Sequence, residues 1–262
     1  MTEVEDAGDI IEALDWTGQP VDCGVCDHQD LLAAGKCEPL KACVHDRYAK
    51  RVQRFFRWNP QLAAGYLDHP YFEVRANAAV QAPIFSLPRL VNDPDETVRA
   101  VAARRLPVRQ MLKLRDDPHR EVRIAAALRL EDADLAPMMR DEDYGVRLRV
   151  ARRVPLGMLP AMMGDEDPDI RHEVAKRIGV EWLVKMVWDE DARVRMEVAE
   201  RLPPEKLEMM AKDEDWCVRF IVAGRISADR LDLFLKDPVD DVREIAEQRK
   251  ANPAMAPAPF FD

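Results

Sequence analysis

Serine and threonine are nearly missing from this 262-residue chain, so a hydroxyl nucleophile for hydrolysis has almost no candidates. No GxGxxG, GxxxxGKS/T or HExxH stretch occurs, which removes the common dinucleotide, P-loop and zinc-protease sites. No apolar run approaches the ~18 residues of a membrane span, and the start, MTEVEDAGDIIEALDW, is acidic where a secretory signal is basic. A cytoplasmic, non-enzymatic protein without a membrane partner is expected. Alternating β-branched runs are absent too, so no sheet is expected. A basic stripe, needed to release counterions from phosphate, is also lacking. The net charge is -10; residues 1–46 hold eleven acidic side chains against Lys36 and Lys41, and residues 47–262 balance 38 acidic against 37 basic. General nucleic-acid binding is excluded on that ground.

What the chain does have is a period. Val-Arg, once Ile-Arg, falls at Val74, Val98, Val122, Val146, Ile170, Val194, Val218 and Val242, each step 24 residues long. With that Val or Ile as zero, +5 is Ala in all but Glu247, +13 is Leu or Met from Leu87 to Leu231, and +19 is Asp from Asp93 to Asp237. Such a period marks a solenoid, in which one unit buries too little to fold alone and stacking is obligatory. From +19 to +8 of the next unit the signals are helical. Asp at +19 or +21 is placed to cap, Pro70, Pro94, Pro118 and Pro238 sit at the first turn, and Pro83, Pro107, Pro155 and Pro203 stop it. The apolar face is 0, +4, +5 and +8, as in Val194, Val198, Ala199 and Leu202. The remaining residues of each unit, as in PPEKLEMMAK with Leu207 and Met210 three apart, suit a short helix or 3-10 turn.

Ahead of the array stands Cys23-x2-Cys26-x10-Cys37-x5-Cys43. Gly24 lets the first pair fold tightly, so both sulfurs can face one ion or cluster. Zinc would satisfy four thiolates, but all-thiolate zinc sites commonly use two CxxC knuckles; a four-iron cube tolerates wider spacing. Spacing therefore favours a 4Fe-4S cluster on Cys23, Cys26, Cys37 and Cys43, with zinc as the alternative. His28 and His45 are near enough to be substitute ligands, although four thiolates suffice. Around the cysteines, residues 8–16 read as a short helix. DHQDLLAAGK reads as another, capped by Asp27 and stopped by Gly35, and Pro39 opens a third that holds Cys43.

The run RYAKRVQRFFRW, 47–58, is basic. Aromatics among arginines suggest single-strand stacking, but Phe55, Phe56 and Trp58 fit better as the terminal cap an array needs. The acidic head is expected to dock on this run or to hang on a loose tether. Two arginine ladders, at +1 and +7, are read as internal, pairing with Asp across repeats and with helix dipoles; the competing use is an acidic partner. Cys217 reads as an incidental thiol. His69, His119 and His172 occupy unrelated repeat positions and form no common site.

The DPxxxVRxxxA core resembles the second helix of HEAT repeats, which are longer. The closer resemblance is to the leucine-rich repeat variant proteins, found in a nitrogen-fixation gene region. It covers nearly the whole chain, eight units plus the four cysteines, and departs at His69, Glu247 and the tail. The resemblance implies an all-α, right-handed superhelical solenoid of alternating α- and 3-10 helices behind a small four-iron domain. The expected boundaries are 1–46 for the iron-sulfur domain, 47–68 for the cap, 69–250 for the solenoid and 251–262 for a flexible tail. The expected function is a protein-interaction scaffold, its partner another protein, with a cluster that reports redox or oxygen state. The alternatives are an electron-transfer protein whose solenoid docks a redox partner, and a scaffold with structural zinc.

Overall fold

Each 24-residue period opens with one α-helix and, in all but the last, continues in one or two 3-10 segments, with a short α-turn ahead of the 3-10 part at Val108–Met111 and Val180–Leu183; the computed structural model describes residues 12–252 of the chain. Two compact units form, Met1–Glu131 and Asp132–Asp262. In the first, helices Ala49–Trp58, Phe72–Gln81, Glu96–Arg105 and Arg120–Ala127 pack each on the next. In the second, Tyr144–Ala151, Pro168–Arg177, Ala192–Arg201, Trp216–Arg225 and Asp240–Ala251 do the same. No strand occurs among the described residues, only isolated bridges in the N-terminal region. The all-α helix and 3-10 solenoid is therefore the fold. Met255, placed at +13 of a closing half-unit, and the rest of the tail from 253 lie outside the described residues.

The core follows the period. Val194, Val198, Ala199 and Leu202 are fully buried, and the equivalent positions of the other complete repeats are buried likewise. The second half adds two positions, +13 and +16, such as Leu207 and Met210 on the 3-10 segment Pro204–Met210, both fully buried. A 3-10 helix turns every three residues, so a pair three apart stays on one line and faces the α-helix beside it.

Asp at +21 is the helix cap. Asp95, Asp167, Asp191 and Asp215 accept the backbone N–H two residues on, at 2.8 Å, and Asp143 accepts from Val146 at 3.2 Å. Asp at +19 does something else. Its Oδ1 accepts the N–H of +21 at 2.9–3.0 Å. Its carboxylate also takes both Nε and Nη2 of the +1 arginine at 2.7–3.0 Å, in Arg75–Asp93, Arg99–Asp117, Arg147–Asp165, Arg171–Asp189, Arg195–Asp213 and Arg219–Asp237. The third nitrogen of each arginine donates to the carbonyls just ahead of its own helix, as Arg195 does to Asp189 at 2.7 Å and Glu190 at 3.2 Å. One buried guanidinium thus ties the start of its helix to the start of the next.

The +7 arginines reach further than expected. Arg249 Nη1 donates to the Ala223 and Ile226 carbonyls, both at 2.8 Å, and Arg225 to Leu202 at 2.9 Å. Arg105 and Arg177 treat Ala82 and Val154 the same way, at 2.7 and 2.8 Å. Each satisfies carbonyls at the end of the preceding helix, which lack intrahelical donors. Burial pushes the Arg225 and Arg249 guanidinium pKa values down. Most arginines of both ladders are thus engaged within the fold, while Arg153 and Arg243 make exposed pairs with Asp132 and Asp240.

The caps carry a modest share of stability. Asp191→Ala should cost about 1 kcal/mol, read as a lower urea midpoint with unchanged slope. A midpoint equal to wild type would show that the Asp191 hydrogen bond adds nothing.

Candidate metal centre

The loop that presents the first cysteines is built on side-chain turns. Asp15 Oδ1 accepts from Thr17 N at 2.8 Å and Gln19 N at 2.9 Å, and Gly18 takes φ +87. These bonds replace the helix expected over 8–16: Leu14 pairs with Pro20 and Asp15 with Asp46, while 8–11 lie outside the described residues. Asp22 Oδ1 then accepts the Gly24 N–H at 2.7 Å, closing the turn between Cys23 and Cys26. A Cβ on Gly24 would stand 3.1 Å from that oxygen, a crowded contact that the Asp22 carboxylate would have to yield to.

Helix Gln29–Ala33 follows, starting at His28 and not capped by the Asp27 side chain. It ends as expected at Gly35, φ +67, where Gly35 N donates to Leu32 O and Lys36 N to Leu31 O, a Schellman motif that delivers Cys37. The helix expected from Pro39 does not form. Residues 38–42 make a tight turn with Leu40 at φ +62 and Glu38 and Ala42 exchanging backbone bonds at 2.9 Å. Pro39 sets the first corner of that turn instead of a helix.

Cys37 and Cys43 are buried, Cys23 and Cys26 half-buried, and all four are free thiols. They share one electrostatic neighbourhood. Burial first, then Cys43, Cys26 and Cys23, pushes the Cys37 thiol up to about 12. Burial and then Cys26 raise Cys23. Burial raises Cys43 against the backbone N–H groups of His45 and Asp46, which favour its thiolate. The His28 N–H points at Cys26 Sγ, 3.4 Å away. Among the described residues, no group of three or more His, Cys, Asp or Glu side chains is placed to hold a single metal ion.

The walls come from the next segment of the chain. Tyr66, on the 3-10 segment Pro60–Tyr66, hydrogen-bonds His28 Nε2, and burial followed by Cys26, Asp27, Cys43 and Cys37 lifts its hydroxyl to about 12. Phe55 packs against both rings, its centroid 5.5 Å from His28 and 6.4 Å from Tyr66. His45 lies 6.2 Å from His28, its pKa lowered by burial and then by His28. Neither histidine is merely exposed. Tyr66 was not anticipated, yet a signal existed. Counted back from Val74 it stands at +16, where the later repeats have Leu90, Leu114, Met138, Met162, Met186, Met210 or Phe234. A hydroxyl at a core position asks for a partner.

The head is no loose tether. Arg51 pairs with Asp46 at 2.9 Å, both buried, and donates to the Glu12 carbonyl at 3.2 Å. Arg54 holds the Lys41 carbonyl at 3.0 Å, Asn59 the Lys36 carbonyl at 2.7 Å, and Cys43 N donates to Arg51 O at 3.3 Å. Trp16 stacks on Tyr71, centroids 6.3 Å apart. Phe55 and Phe56 are fully buried, which removes them as base-stacking platforms. On the outer side, Cys26 and His45 border a cleft of about 300 Å³ with Asp15, Trp16, Asp22 and Val25.

Elsewhere, His119 and His172 face single carboxylates, Glu96 at 3.9 Å and Glu197 at 3.8 Å. Cys217 is half-buried beside Asp215, its thiol raised by burial and then by that carboxylate. No catalytic constellation forms among the described residues, and none of their helices is long and apolar enough to cross a membrane.

Comparison with known proteins bears on both parts of the chain. A family model described as "LRV protein FeS4 cluster" matches residues 13–65, which takes in the four cysteines and the Ala49–Trp58 helix. A solved structure described as a leucine-rich repeat variant with a novel repetitive structural motif is 41% identical. It superposes with a TM-score of 0.83 over 87% of this chain and 98% of that one. A Rhodobacter capsulatus protein, described as an uncharacterized 27.7 kDa protein in the nifB 3' region, is 56% identical over 84 residues. That match spans 32% of this chain and 34% of the relative, about a third of its length.

Proposed function

The chain belongs to the leucine-rich repeat variant family, and from that premise we propose that it is a non-enzymatic protein-interaction scaffold with a 4Fe-4S cluster on Cys23, Cys26, Cys37 and Cys43. The observation that carries the reading is the set of four unpaired thiols, mutually coupled, beneath Tyr66 and Phe55. The donor set fits the group. Four thiolates match four irons, and the ligands of a cube need not converge on one ion as zinc ligands must. The N–H groups directed at Cys26 and Cys43 stabilise bound thiolate, and the aromatic wall keeps water from one side. When bound, the cluster supplies one-electron exchange.

A second reading, electron transfer with the solenoid docking a redox partner, is favoured by the cleft beside Cys26, which opens a path to one ligand edge. Four unpaired thiols suit a reducing compartment and hence the cytoplasm. By the description of the Rhodobacter relative, a place near nitrogen fixation is the reading for the partner protein. Nucleic acid is not proposed, given the charge balance and the buried Phe55 and Phe56.

Protein purified without oxygen should contain about four irons and four sulfides per chain and little zinc. Zinc without sulfide would overturn the cluster. A reversible potential in titration supports electron transfer, and collapse in air supports sensing.

A further inference from the structure

Position +18 of the repeats is Asn92, Asp116, Arg140, Gly164, Trp188, Lys212 and Lys236. Among these polar and small residues Trp188 departs from the pattern, and its side chain is 72% exposed. No repeat needs an indole there for packing. It stands between two clefts of the second unit. One, of about 400 Å³, lies toward Met163, Gly164 and Glu166. The other, of about 310 Å³, lies toward Lys212 and Glu214, and Glu190 borders both. A Cβ on Gly164 would meet nothing within 4 Å, so that residue keeps the first cleft open.

Position +20 adds charge to the same ridge. It is Pro94 and Pro118 in the first unit and Pro238 near the end of the second, but Glu142, Glu166, Glu190 and Glu214 in the four repeats between, all four glutamates exposed. Arg147 meets both Asp165 and Glu166, the latter at 3.0 Å, and Arg195 both Asp213 and Glu214, the latter at 3.3 Å. Each arginine is outnumbered two to one. Arg171 is already held by Asp189, which leaves Glu190 in excess there too. Lys212 offsets one charge, and the ridge around Trp188 stays acidic.

We propose that this ridge is a docking site for an extended, basic segment of a partner protein, with an apolar side chain seated against Trp188 and Lys or Arg facing Glu166, Glu190 and Glu214. The spacing supports an extended chain. Packed helices lie ~8–10 Å apart, one glutamate per repeat, and a polyproline II chain advances ~3.1 Å per residue with about three residues per turn, so every third residue faces a glutamate. An indole beside carboxylates also suits a cation, which the ring face attracts. Phosphate-bearing ligands are repelled by the same charge. The site is independent of the metal centre and survives if no cluster is found.

The test uses a fluorescent peptide with Lys at every third position and Ala and Leu between, titrated into the full-length protein at low and physiological salt. Binding should weaken about tenfold or more with Trp188→Ala and with Glu190→Lys. Gly164→Leu, which adds bulk to the first cleft without removing the indole or any charge, should weaken it as well. Circular dichroism of each variant should match wild type, since the altered side chains are at the surface. Equal binding of a peptide with Glu in place of Lys would overturn the proposal. So would no measurable binding, or binding indifferent to Trp188→Ala and Gly164→Leu. Self-association abolished by Trp188→Ala would make a second copy the occupant, and binding of a single-stranded oligonucleotide to the ridge would also defeat it.

Discussion

Arg195→Ala should lower the unfolding free energy by about 3–5 kcal/mol, seen as a fall in the urea midpoint of the second unit's helix signal. Arg195 and Asp213 have side chains only 6% and 3% exposed. Removing the guanidinium strands the Asp213 carboxylate with a single donor, the Asp215 N–H at 2.9 Å, and takes a partner from the Asp189 carbonyl. A buried charge left so nearly bare costs more than the pair contributes intact. Lys250→Ala, which removes the exposed contact with Asp232, should shift stability by less than about 0.5 kcal/mol. Lowering the pH makes the same cut from the other side. Hydrogen bonds from Arg219 hold Asp237 below the ordinary carboxylate range; at Asp117 burial pushes upward most strongly, but the Arg99 hydrogen bonds, the His119 N–H and the Arg99 charge together bring the carboxyl down. Their contribution is complete above the unfolded value of about 3.9 and fades as pH falls through the depressed folded values. Acid unfolding should therefore set in only below about pH 4. An Arg195→Ala protein within 1 kcal/mol of wild type would show that the ladder is ornamental.

The solenoid was legible because its rules repeat. Val194, Val198, Ala199 and Leu202 announce a helical face, Leu207 and Met210 a 3-10 line, and neighbouring units restate both. What the pattern left open was the division of labour among conserved-looking polar positions within the chain. Asp189 and Asp191 both suit a cap, and only geometry assigns capping to Asp191 and the arginine to Asp189. The +7 arginines looked like partners of their own helix because sequence spacing sees one helix at a time. Arg249 bonding Ala223 spans 26 residues, a contact that exists only once the units stack.

The metal centre was less legible for a related reason. Four cysteines at a telling spacing name the proposed donors, but the chain between them obeys turn chemistry and not periodicity. Asp15 beside Thr17 and Gly18 forms a side-chain turn, and Pro39 with Leu40 at φ +62 a tight corner, where helix signals had seemed adequate. A non-glycine residue at positive φ carries almost no mark in the sequence. Of the enclosing groups, Phe55, Asn59 and Tyr66 sit in what reads as the solenoid's cap, and Asp46 is the last residue before it. Head and cap are thereby interlocked, which fixes how far the loss of the cluster should be felt.

Cys43→Ala should abolish the cluster's visible absorbance and iron content, while Cys217→Ala leaves both unchanged, because Cys217 lies far along the chain on helix Trp216–Arg225. The second effect is local loosening. The Cys43 segment is tied to helix Ala49–Trp58 through Arg51, Arg54 and Asn59, so freeing it exposes amides on both sides of the tie. Hydrogen exchange of the cluster-free protein should quicken by an order of magnitude or more over residues 37–66, where the cluster's ligands and walls are joined. Amides of the second unit should keep their protection, since their core consists of their own repeat positions and borrows nothing from the cysteines. Chelating the iron from wild-type protein should reproduce the pattern without any substitution, separating loss of the cluster from loss of a buried side chain. If Cys43→Ala keeps its iron, Cys43 is not a ligand. If exchange rises equally across residues 132–251, stability is pooled along the whole array, and the head is part of its core.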